Sequence, residues 1–217
     1  MTEPRLLQNF RGGRGIVVTD RASSLDVLTT SLNRLGVTTN ASDIVESIAA
    51  IDLTTLQADR DVIFIDGDGD ISDAALLPRS AIGRLPPVPI IGLLGVSAPS
   101  RLKALMRAGA TSFLRKPVHG AAVYPALFVG VNEYRRHRHL EALLEDQGRR
   151  RRGRRDLVKA IIRTMAEYGI DDDEAYDLLR RRSMAMRQTM EDLCKDLVES
   201  PDGREHGEFV LRRKLAD

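Results

Sequence analysis

The chain has 217 residues, 42% of them hydrophobic but only 4% aromatic, with no Trp and a net charge of +2. That leaves room for one large domain or two small ones and argues against an aromatic stacking platform as the main chemistry. The single cysteine, Cys194, excludes an intrachain disulfide and a cysteine-based zinc cage and points to a reducing compartment. The N-terminal MTEPRLLQNFRGGRG lacks an apolar core of signal-peptide length, and no stretch approaches the roughly 20 apolar residues that span a bilayer. The expectation is a soluble, cytoplasmic protein without membrane contact.

Residues 15–119 alternate short apolar runs with helical patterns. GIVVT (15–19) is β-branched and ends at Asp20, and residues 22–35 place Leu25, Leu28, Leu32 and Leu35 at helical spacing. DVIFI (61–65) and VPIIGLL (88–94) are two further runs of buried-strand type. RLKALMRAG (101–109) predicts a helix stopped by Gly109, and TSFLRKP (111–117) a short strand closed by Lys116-Pro117. Near-continuous apolar strands between helices predict a parallel sheet covered on both faces. Chemistry on such a sheet gathers at the carboxyl ends of the strands, where Asp20, Asp66 and Lys116 fall.

Beyond residue 120 the pattern becomes helical. Leu127, Val131, Tyr134, Leu140, Leu143 and Leu144 predict one long helix over 120–147 with near-heptad apolar positions. RRRRGRR (149–155) follows, and Gly148 and Gly153 predict a bend there. Three helices are then expected. The first covers 156–168, the second opens after Gly169 on DDDE (171–174), which suits a helix N-terminus, and the third covers 186–199 with the stripe Met186, Met190, Leu193, Cys194, Leu197 and Val198. Residues 201–217 are expected to be a poorly ordered tail.

The stretch DVIFIDGDGD ends in Asp66, Asp68 and Asp70. A calcium loop would need Gly at its sixth position and Glu at its twelfth, where Ile71 and Leu77 stand. A phosphatase of the haloacid-dehalogenase type would need a Thr or Val in place of Asp70 and a downstream acidic pair. The set Asp66 and Lys116-Pro117, with Phe113 just before the latter, resembles the receiver domain of two-component systems. That resemblance implies clustered carboxylates for magnesium, a phosphoacceptor and a lysine facing the phosphoryl oxygens. Two parts of the pattern are missing. The acidic pair is Thr19-Asp20, and the hydroxyl position falls on Leu94 or Gly95, with Ser97 two or three residues too late. A degenerate receiver, with Asp20, Asp66 and Lys116 as a vestigial pocket and Asp68 and Asp70 as solvated turn residues, is therefore expected.

MAEYGIDDDEAYDLLRRRSMAMRQTMEDLCKDLVES (165–200) resembles the ANTAR domain, the three-helix RNA-binding module of AmiR- and NasT-type transcription antiterminators. Met165, Gly169, Glu174, Ala175, Tyr176, Leu179, Arg180 and Arg187 occupy the positions of that pattern. The family's Ala-Lys-Gly upstream is here Ala160-Ile161-Ile162, with Lys159 before it. Residues 88–130 also resemble the second half of AmiR's degenerate receiver.

Two readings of the arginine run stand at this point, a solvated connector or a patch that neutralises phosphates with counterion release. Tyr176 is either a core-edge aromatic or a platform for an unpaired RNA base. Met184, Met186 and Met190 are expected to pack, and His137 and His139 to be solvated without acidic partners. The resulting expectation is an α/β flavodoxin-like receiver with a parallel sheet, then a long coiled-coil helix and an all-α ANTAR domain. The divisions are 1–120 pseudo-receiver, 121–154 helical linker, 155–200 ANTAR domain and 201–217 tail. No catalytic residue, metal or cofactor is expected. RNA contacts fall on Arg154, Arg155, Lys159, Tyr176, Arg180, Arg182 and Arg187. By the resemblance, the protein is a dimeric antiterminator acting on leader stem-loops, controlled by a ligand-sensing regulator of the periplasmic-binding-protein fold. The alternatives are a phosphorylation-controlled response regulator that binds nucleic acid and a magnesium-dependent phosphotransfer enzyme.

Overall fold

The apolar runs form a parallel sheet because neither face of it meets water. The computed structural model describes residues 5–20, 25–69, 85–95 and 98–199, and the chain divides into two compact units, 1–142 and 143–217. In the first unit the strands are β1 (Gly13–Val18), β2 (Val37–Thr38), β3 (Ile44–Val45), β4 (Asp61–Asp66), β5 (Ile90–Leu94) and β6 (Ala110–Arg115). They run in the order β2-β1-β4-β5-β6, all pairs parallel, and β3 also pairs with β1. β2 aligns with Gly13 and Arg14, and β3 with Val17 and Val18, so two dipeptides share one edge position. Taken as one strand, they give the flavodoxin-like order of receiver domains.

Alternate residues serve opposite faces. Val17, Val62, Phe64, Leu93 and Leu114 pack with α1 (Asp26–Arg34) and the start of the long helix through Leu28, Leu32, Val123 and Leu127. Ile16, Val18, Ile63, Ile65 and Leu94 pack with Leu105 and Ala108 of α2 (Pro99–Ala108) and with Ile48. Between β2 and β4 the chain makes three short 3₁₀ turns, the first closed by reciprocal Asn40–Asp43 bonds. At the bottom of the sheet Arg14 grips the buried Asp61 with two bonds of 3.2 and 2.8 Å.

The third helix, α3, runs from Gly120 to Tyr168 without interruption. The separate helix expected over 156–168 is therefore corrected to the last part of α3, and Gly148 and Gly153 do not break the helix. Two features explain it. Asp146 pairs with Arg149 at 3.4 Å and Arg150 at 2.9 Å, bonds between adjacent turns that favour helix. A Cβ at Gly153 would stand 3.2 Å from Glu191 Cδ, so this glycine marks a close approach rather than a break. Within the first unit, the Tyr134 hydroxyl of α3 donates to the carbonyls of Pro86 (3.0 Å) and Pro87 (2.7 Å). Burial, with a smaller contribution from nearby acids, pushes this phenol up to about 12.

The second unit adds α4 (Asp172–Met186) and α5 (Met190–Glu199). Gly169 joins α3 to α4 at φ 64, a left-handed turn that glycine adopts without a Cβ penalty. The Asp171 carboxylate caps α4 by accepting from Glu174 N at 2.8 Å, and Thr189 Oγ1 accepts from Asp192 N at the start of α5. Ala160, Leu179, Leu193 and Cys194 are the buried centre, with Leu157, Ile161, Met190 and Leu197 against them. Met186 ends α4 half exposed, and Met184 is more exposed still, so only Met190 of the three expected packing methionines packs. The expected tail and Asp70 and Ser97 lie outside the described residues.

Candidate functional site

The receiver-type pocket sits where β1, β4, β5 and β6 end together. Asp66 is the last residue of β4 and is 3% exposed. Its Oδ2 accepts from the Thr19 hydroxyl at 2.9 Å, and its Oδ1 from Asp68 N at 2.9 Å. Lys116, one residue past β6, places Nζ 2.7 Å from Asp66 Oδ1 and 2.8 Å from Oδ2. Asp20 is exposed, with its carboxylate beside the turn at Gly69. The three residues expected at the pocket thus fall at one end of the sheet, and Asp66 and Lys116 are bonded to each other.

Asp68 corrects the sequence expectation. Instead of standing in solvent, its Oδ2 lies 2.8 Å from Lys116 Nζ and accepts from Gly95 N at 2.8 Å. Its Oδ1 pairs with Arg101 of α2 at 3.3 Å, and the same guanidinium donates to Gly67 O at 3.0 Å. Burial pulls the Lys116 ammonium down, but the bonds and charges of Asp66 and Asp68 outweigh it, so its pKa lies above that of an ordinary lysine. Neither candidate for the missing hydroxyl supplies one. Leu94 is buried in the apolar cluster, and a Cβ on Gly95 would run into the Asp68 carboxylate.

The donor set does not fit the magnesium ion of a phosphorylating receiver. Thr19 replaces one acid and donates to Asp66 rather than offering charge, and both Asp66 oxygens already face Lys116. Among the described residues, no three His, Cys, Asp or Glu side chains are arranged to hold a metal ion.

In the second unit Arg154, Arg155 and Lys159 are exposed on α3, with Arg155 and Lys159 one turn apart. Tyr176, 43% exposed, is one turn before the exposed Arg180 on α4. Arg187 is exposed at the left-handed end of α4. Arg182 is set apart. It is half-buried and lines a small open cleft with Arg163, Thr164, Glu167 and Tyr168. Sequence reasoning missed Arg163, whose Nη1 donates to Leu197 O at 2.7 Å and ties α3 to α5. It lies at i+4 from Lys159, but nothing local marks its partner. The Cys194 thiol is buried and its pKa is raised. In the first unit, His137 Nε2 lies 3.0 Å from Glu133 Oε1, so the expectation that it lacks an acidic partner is also corrected.

Residues 146–198 match the family model of the ANTAR domain. The arginine run, expected to end a linker, therefore lies inside the ANTAR span. No curated protein matches the chain. Among solved structures, full-length FixJ from B. japonicum is 18% identical, with 85% of this chain and 95% of that chain covered at a TM-score of 0.47. The response regulator StyR is 17% identical over 87% of this chain and 100% of its own, at 0.48. A response regulator receiver protein from Pseudoalteromonas atlantica is 20% identical over 52% and 93%, at 0.40. The receiver assignment stands on the strand order and parallel register. The chain thus combines a flavodoxin-like receiver fold with an ANTAR domain.

Proposed function

We propose that this protein is an RNA-binding transcription antiterminator whose ANTAR domain binds leader RNA and prevents a terminator hairpin from forming. The observation that carries this reading is the coincidence of the ANTAR match with a packed three-helix unit. That unit holds Arg155, Lys159, Tyr176 and Arg180 exposed on two of its helices. Guanidinium and ammonium groups neutralise phosphates, and an exposed tyrosine one turn from an arginine suits an unstacked loop base. No bond needs to form or break. A protein that binds one RNA fold more tightly than the other shifts the population toward it.

The pseudo-receiver (1–120) supplies control through a protein partner rather than a phosphoryl group. By the resemblance to AmiR-type regulators, that partner is a ligand sensor of the periplasmic-binding-protein fold. Homodimerisation through α3 is supported by Leu140 and Leu144, exposed and one turn apart. A phosphorylation-controlled regulator is the second reading, favoured by the Asp66–Lys116 pairing. Saturable, magnesium-dependent binding of beryllofluoride at Asp66 of the native chain would select it.

The decisive experiment is transcription through the protein's own operon leader. Terminator readthrough is expected to rise when the protein is added, and Arg180→Ala with Arg187→Ala is expected to abolish the rise. Unchanged readthrough with the native protein sinks the proposal.

A further inference from the structure

The oxyanion seat beside Asp66 already has an occupant. Lys116 Nζ and the Gly95 N–H converge on one point at a strand-end pocket, each 2.8 Å from Asp68 Oδ2. A converging ammonium and backbone amide are the donors that bind a phosphoryl-type oxyanion, and charge-assisted bonds of this length are the strong ones. Arg101 holds the other Asp68 oxygen at 3.3 Å, so the carboxylate is fixed from two sides. With Asp66 bonded to the same lysine, two carboxylates stand against two cations. An arriving dianion would meet neutralised donors. Gly95 completes the arrangement, since a Cβ at that position would occupy the space of the Asp68 carboxylate.

We infer that Asp68 is a resident anion that fills the phosphoryl seat of this receiver and makes the state of the pocket independent of phosphoryl donors. The added carboxylate and the absent hydroxyl are then one adaptation, because both require the space at residue 95. This inference deepens the regulatory half of the proposed function and rests on that half alone. RNA binding is read by a different assay, so the two can fail separately.

Sulfate, a tetrahedral dianion of the same class, is the probe. It is titrated into the full chain while the amide signals of Gly95 and the Lys116 ammonium signal are followed by NMR. In Asp68→Ala these signals are expected to shift saturably, with affinity at least about tenfold above the native chain, the scale of one charge-assisted hydrogen bond. Asp68→Asn keeps the size of the side chain and removes its charge, and is expected to fall between the two. It decides the matter if the alanine variant does not fold. Adding Lys116→Met to either variant is expected to remove the response. A native chain that binds sulfate at Gly95 as well as the variants do would overturn the inference, as would folded variants in which Gly95 and Lys116 stay silent.

Discussion

Lys116 bridges Asp66 and Asp68 with bonds of 2.7 and 2.8 Å, and its removal would leave Asp66 without its cation and Asp68 with Arg101 on one oxygen only. Lys116→Met is therefore expected to cost about 1–3 kcal/mol of stability near neutral pH, measured by urea denaturation of the full chain. The lysine value is raised in the folded state. Its contribution is thus complete below the unfolded lysine value of about 10.4 and is lost as pH rises through the higher folded value. The native and Lys116→Met curves should converge in that alkaline range, and a gap that stays constant there would contradict the assignment. Asp66 and Lys116 were legible because apolar runs locate strand ends, and strand ends locate the pocket. Asp68 was not. Whether a turn carboxylate points to water or inward depends on the distant donors Gly95, Arg101 and Lys116, which local sequence does not connect to it.

At the scale of the element, α3 is the main departure from the sequence expectation. Two glycines lower helix propensity by about 1 kcal/mol each. The surrounding arginines, leucines and glutamates are good helix formers, and the Asp146 ion pairs and the α5 contact supply further support. Propensity was outweighed by packing. Gly148→Ala is accordingly expected to stabilise the chain by about 0.5–1 kcal/mol, because the nearest neighbour of the new Cβ is an Arg152 guanidinium 3.6 Å away. Gly153→Ala should gain less, since Glu191 must give way. Melts followed by circular dichroism test both, and a Gly148→Ala variant that loses helix or melts lower would mean a bend is needed after all. The split edge of β2 and β3 escaped notice for a simpler reason. Two dipeptides are too short to carry a period of two. The strands β1, β4, β5 and β6 each carry five or six residues and were found within two residues of their ends.

For the whole molecule, a net charge of +2 conceals an uneven distribution. Six of the seven residues 149–155 are arginine, and the exposed cations of α3 and α4 extend that surplus. If this surface meets RNA, affinity for a labelled leader transcript should fall steeply with salt, with a log–log slope of roughly 0.7 per phosphate contact on single strands. Arg155→Ala and Arg180→Ala should each reduce the slope by about that amount in fluorescence anisotropy. Arg136→Ala, which removes a guanidinium already paired with Glu133 at 2.6 Å, should leave it unchanged. Equal slopes for all three variants would leave the arginine surface without a role in binding. Domain order was legible from the change of period near residue 120, because sheet-forming and helix-forming patterns differ in kind. The interactions that give each unit its purpose depend on residues far apart in the chain.

Gly95 also sets what the pocket can hold at one time. The Cβ of a serine at 95 would run into the Asp68 carboxylate, so a hydroxyl there requires that side chain to swing out of its bonds to Lys116 and the residue 95 amide. A chain that loses Asp68 alone carries neither the resident anion nor the hydroxyl. The seated carboxylate and the hydroxyl are therefore alternatives for one space, and a change at either position rewrites what the other can do.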